Sequence, residues 1–110
     1  MSIYSNFPGQ SDSTESIQST KPGKHMIEQW LRCAIFKGMF SDELAIKYLP
    51  SGSTYPVSVF VPKEMVQGDL DQGTGQVKVT VFRRGENPWV ILPTSQRIEI
   101  PVKESDLASL

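Results

Sequence analysis

From residue 42 onward, apolar and polar positions alternate along most of the chain. In "DELAIKYL", Leu44, Ile46 and Tyr48 alternate with Ala45, Lys47 and Leu49. "TYPVSVFV" places Tyr55, Val57, Val59 and Val61 on one face, and "GQVKVTVFR" does the same with Val77, Val79 and Val81. "PWVIL" and "QRIEIPV" complete the set, the latter through Ile98, Ile100 and Val102. A period of two belongs to half-buried strands, whose successive side chains point to opposite faces. Five short strands are therefore predicted, paired antiparallel through turn-rich joints. Prolines at 50, 56, 62, 88, 93 and 101 fall at or near the strand ends, where a missing N–H costs least.

Ahead of the strands, "KHMIEQWLRCAIFKG" fits a different template. Met26, Ile27, Trp30, Leu31 and Ala34 follow the spacing of one helical face, with Glu28, Gln29, Arg32 and Lys37 on the other side. Gly38 stands where a left-handed C-terminal cap would be, and Lys37 suits the negative end of the helix dipole. The spacing predicts a helix over 25–37, with Ile35 and Phe36 widening its apolar surface.

The fold expectation is α+β. An N-terminal helix packs on a five-stranded, mostly antiparallel, strongly bent sheet, in the shape of a small SH3-like or Sm-like barrel. "VFVPKEM" and "IEIPVKE" echo each other, each a strand, a proline, then lysine and glutamate. Both read as the same way of leaving a strand for a short helical turn. Residues 1–23, rich in Ser, Thr, Gln, Gly and Pro, bury too little to offset ordering entropy, so a disordered N-terminal arm is expected ahead of one domain over 24–110. Ile3, Tyr4 and Phe7 form the arm's one apolar cluster, read either as an arbitrary terminus or as a docking peptide.

Charge narrows the choice of partner. The chain has 11 basic and 12 acidic residues; Lys21, Asp12 and Glu15 lie in the arm, which leaves 10 of each in the domain. Affinity for nucleic acid rests largely on neutralising phosphates, and a neutral body has no net field to offer. No run approaches the roughly 20 apolar residues of a membrane-spanning helix, and the N-terminus lacks the pattern of a secretory signal. One cysteine makes no internal disulfide, so the cytoplasm is the expected setting and no membrane partner is expected.

Little chemistry is on offer. One histidine and one cysteine are too few for a zinc site. On the predicted helix His25 and Cys33 lie roughly 12 Å apart along the axis, too far for a nucleophile and its base. The loop "GDLDQGTGQ" matches neither a calcium-binding EF-hand nor a phosphate loop, and reads as a flexible connector. Asp42 with Glu43, and Glu104 with Asp106, sit where caps and solvated charges are common. No catalytic residue, cofactor or metal is nominated.

One stretch carries a recognition pattern. In "VFRRGENPWVIL", Val79, Val81 and Arg83 point one way while Lys78, Thr80, Phe82 and Arg84 point the other. With Trp89 across the turn, Lys78, Phe82, Arg83, Arg84 and Trp89 form either a stacking and phosphate-pairing patch or a plain hairpin with an internally paired arginine. Ile35, Phe36, Met39 and Phe40 are apolar residues left over on and beside the helix, free to pack on another copy or to finish the barrel. The expected function is a non-catalytic protein-interaction module, self-associating as a homo-oligomer or binding another protein. The alternative is a small-barrel protein that binds single-stranded nucleic acid through Arg83, Arg84 and Trp89. The third reading is an enzyme with no recognisable motif.

Overall fold

The computed structural model of the chain describes residues 26–110; the expected arm over 1–23 and His25 lie outside them. Eight strands run in order: β1 (Ile27–Lys37), β2 (Glu43–Tyr48), β3 (Val57–Pro62), β4 (Val66–Asp69), β5 (Thr74–Arg84), β6 (Asn87–Ile91), β7 (Glu99–Pro101) and β8 (Leu107–Ser109). The sheet order is β3-β2-β1-β5-β6-β7, with β4 added to β5 and β8 to β1. Every pairing is antiparallel. The result is a strongly curled half-barrel.

The predicted helix over 25–37 is corrected: those residues form β1. Leu31, Cys33 and Ile35 are 0%, 8% and 1% exposed, while Glu28, Arg32 and Phe36 face solvent. A helix turns roughly 200° between residues two apart, so it cannot bury Cys33 together with Leu31 and Ile35. A strand does so directly. The apolar set Met26, Ile27, Trp30, Leu31 and Ala34 satisfied a helical template over a short window, where the two periods are hard to separate. Among the described residues the only helical structure is two three-residue 3-10 turns, Lys63–Met65 and Glu104–Asp106. Gly38, read as a helix cap, lies in the β1–β2 hairpin, where an added Cβ would fall 2.6 Å from the Glu43 carbonyl oxygen.

The curl follows from two long strands that change neighbours along their length. β1 pairs with β5 over 27–34 and with β2 over 34–37, and β8 flanks it over 29–31. β5 pairs with β4 over 74–77 and with β6 over 80–84. The two echoed segments explain β4 and β8. Each strand ends in or just after a proline, passes through a 3-10 turn, and returns as a short strand on the flank of a long one. The core is lined by the expected alternation: Ile46, Tyr48, Val61, Val77, Val79, Val81, Val90 and Ile100, joined by Leu31, Cys33 and Ile35 of β1.

The stretch read as a flexible connector is instead the β4–β5 hairpin. Asp69 holds its turn, its side chain accepting from the Asp71 N–H at 2.9 Å and its carbonyl from the Gly73 N–H at 2.9 Å. The Gly73 carbonyl then accepts from the Ile35 N–H at 3.0 Å. Gly68 and Gly75 face each other in the ladder beneath the Ile35 side chain. Nothing larger fits between the two backbones.

Candidate interaction surface

The β5–β6 hairpin closes through Gly85 and Glu86, with Gly85 in the left-handed region at φ 64° that tight hairpin loops favour. Phe82 pairs with Trp89 across the ladder, their ring centroids 6.4 Å apart. The Arg84 guanidinium lies on the same face, 4.1 Å from the Trp89 ring centre and 5.4 Å from that of Phe82. Strand alternation dictates this grouping, and Arg83 points away from it.

Both arginines are paired within the domain. Arg83 donates two hydrogen bonds to Glu104, at 2.8 and 3.0 Å, and a third to the Glu86 carbonyl at 3.3 Å. Arg84 donates to Glu99 at 2.5 Å, and Arg97 donates to the other oxygen of the same carboxylate. The Arg97 guanidinium, with Arg84 beside it, holds the Glu99 carboxyl below the usual range. Arg83 does the same for Glu104 and is itself raised by it. Lys78 sits apart from the stack, opposite Trp30 of β1 on the outer face. Assigning Trp30 to a helix hid that pairing from the sequence.

Phe36, Met39 and Phe40 stand at another part of the molecule, at and beside the β1–β2 turn. The Glu43 carboxylate accepts from the Met39 and Phe40 N–H groups at 3.1 and 3.3 Å, and the Phe40 carbonyl accepts from the Glu43 N–H at 3.3 Å. These bonds fix the turn with both side chains outward. Phe36 lies in one cross-strand row with Ala45 and Phe60, and the Lys47 ammonium sits 5.6 Å over its ring. A cleft of about 520 Å³ joins Phe40 and Leu44 to Leu70 on the neighbouring hairpin, with Lys37 and Lys63 on its walls. Phe36, Met39, Phe40, Phe60 and Leu70 are between 44% and 78% exposed.

The chain was compared with family models, curated proteins and solved structures. None matches.

Two of the five exposed apolar residues at the β1–β2 end, Phe60 and Leu70, were missed in the sequence. The signal for Phe60 was present: placing Val57, Val59 and Val61 inside requires Ser58 and Phe60 outside. Leu70 gave none, because a single apolar residue in a polar turn has no period. Other chemistry is sparse. Burial pushes the Cys33 thiol up to about 12, so it is protonated and enclosed at neutral pH. Among the described residues no three His, Cys, Asp or Glu side chains converge as metal ligands, and no helix is long and apolar enough to cross a membrane.

Proposed function

We propose that this domain is a non-catalytic protein-interaction module whose contact surface is the apolar end formed by Phe36, Met39, Phe40, Phe60 and Leu70. One observation carries the reading. Met39 and Phe40, 78% and 68% exposed, are held outward by hydrogen bonds to their own backbone rather than left on a slack loop. A fixed apolar projection is ready to be buried by a partner at little ordering cost. The neutral charge of the body and the free, enclosed thiol suit a protein partner in the cytoplasm.

Replacing Met39 and Phe40 together by serine tests this. The account expects thermal stability to stay near wild type, because both side chains are solvent-facing, while partner capture or self-association is lost. Unchanged capture and unchanged mass in light scattering would remove the proposal.

The nucleic-acid reading has one observation in its favour, the shared face of Phe82, Arg84 and Trp89. Against it, a phosphate would have to displace Glu99 from Arg84 and Glu104 from Arg83. Salt-sensitive binding of single-stranded oligonucleotides, weakened by Arg84→Ala, would reinstate it.

A further inference from the structure

The two ends of the sheet are finished differently. β7 is three residues long, ends in Pro101, and carries Glu99 between Arg84 and Arg97. The Pro101 carbonyl is taken by the Ser51 N–H at 3.0 Å. Short length, proline, charge and a covering loop are the devices by which sheet edges avoid further pairing. β3 at the opposite end has six residues, "VSVFVP", with no charge and no bulge in its six-pair register with β2.

Hydrogen bonding fixes which backbone groups of β3 are free. The Lys63 N–H donates to the Asp42 carbonyl at 2.9 Å, which continues the β2–β3 register by one pair. Antiparallel ladders alternate sides residue by residue. Val57, Val59 and Val61 therefore bond toward β2, while Ser58, Phe60 and Pro62 turn their backbone groups outward. Pro56 and Pro62 occupy the same outward parity, so their missing N–H groups cost β2 nothing and bracket the free edge. Among the described residues, no turn, loop or side-chain hydrogen bond reaches the backbone of Ser58 or Phe60.

We propose that this edge pairs antiparallel with the same edge of a second copy, about a two-fold axis through Val59. The proposal rests on the interaction-module reading and names its partner. Only an extended strand complements such an edge, and the β3 sequence complements itself. In the register centred on Val59, Ser58 of each copy faces Phe60 of the other. Both outward N–H groups of each chain then meet carbonyls without a proline in the ladder. Val57 faces Val61 and Val59 faces Val59, extending the row of inner valines; Val57 and Val59 are only half-buried in the single chain. On the outer face, Lys47 neighbours Ser58 in the ladder. The pairing brings it toward Phe60 of the second copy, as it already lies over Phe36 of its own chain. No like charges are set opposite, and a net charge of -1 gives little repulsion between copies.

The test is sedimentation and light scattering across a concentration series, with amide exchange read at Ser58 and Phe60. The account expects the mass to rise toward twice that of the monomer, with exchange at both amides slowing as it does. Ser58→Pro extends the proline pattern of the free edge without removing a bond to β2, and is expected to hold the chain at monomer mass. Should that variant unfold, Ser58→Glu serves instead: it pairs with Lys47 in its own chain and sets a charge against Phe60 of the second copy. A dimer that survives a folded Ser58 variant but is lost on replacing Met39 and Phe40 would overturn edge pairing and leave the broader reading intact. A wild-type mass that stays monomeric at every concentration would overturn the second-copy proposal, as would amides already protected in the dilute monomer.

Discussion

Tyr48 joins the middle of the chain to its C-terminal turn. Its hydroxyl donates to the Asp106 carboxylate at 2.6 Å and accepts from the Lys103 N–H at 3.1 Å, so both lone groups of that turn are satisfied by one side chain. Removing the hydroxyl leaves a carboxylate and an N–H short of partners. Tyr48→Phe is expected to cost about 1–2 kcal/mol in urea unfolding at neutral pH. Burial, reinforced by the Asp106 hydrogen bond, pushes the Tyr48 phenol up to about 12. A phenol with a raised folded-state value contributes stability that is complete below its ordinary value of about 10 and is lost as pH rises through the folded one. The stability gap between wild type and Tyr48→Phe should therefore narrow as unfolding is measured from about pH 8 to about pH 11. A gap that widens over that range would contradict the assigned hydrogen bond.

At the scale of elements, the hairpins that the alternation marked as strands were legible, and the ones carried by polar or glycine-rich sequence were not. β3 and β5 announce themselves through valine every second residue, β2 through the alternation of Leu44, Ile46 and Tyr48, and β6 through its short apolar run. β4 reads "VQGD", with one apolar side chain and a glycine, so no period exists to detect. Its place comes from packing: Gly68 and Gly75 let two backbones pass beneath Ile35, and a Cβ on Gly75 would meet the Gln67 carbonyl at a distance no real contact allows. Gly75→Ala is expected to cost about 1–3 kcal/mol by forcing that hairpin apart, read as a lower urea midpoint with an unchanged slope. A neutral result would mean the β4–β5 pairing is looser than described. β1 was misread because Met26, Ile27, Trp30, Leu31 and Ala34 fit a helix over the nine residues 26–34. The alternation of Leu31, Cys33 and Ile35, with the β-favouring Trp30, Ile35 and Phe36, gave the contrary signal.

For the whole molecule, β1 decides which surface faces out. As a strand it sends Leu31, Cys33 and Ile35 into the core and places Trp30 and Phe36 on the outer face, beside Lys78 and in line with Phe60. The candidate patch was half legible for that reason. Strand alternation separated Arg83 from Arg84 and grouped Phe82 with Arg84 from sequence alone. The pairing partners Glu99 and Glu104 come from distant segments that no local pattern connects. Ile35, Phe36, Met39 and Phe40 were singled out as leftover apolar residues; the sheet takes Ile35 into the core and gives the other three a position at the β1–β2 turn with an additional neighbour in Leu70. The central claim is therefore the pairing of β1 with β5, and nuclear Overhauser contacts across 27–37 test it most directly. The account predicts cross-strand contacts joining Trp30 to Lys78 and Leu31 to Val77. Sequential contacts three residues apart within 27–37, with none to 77–81, would contradict it.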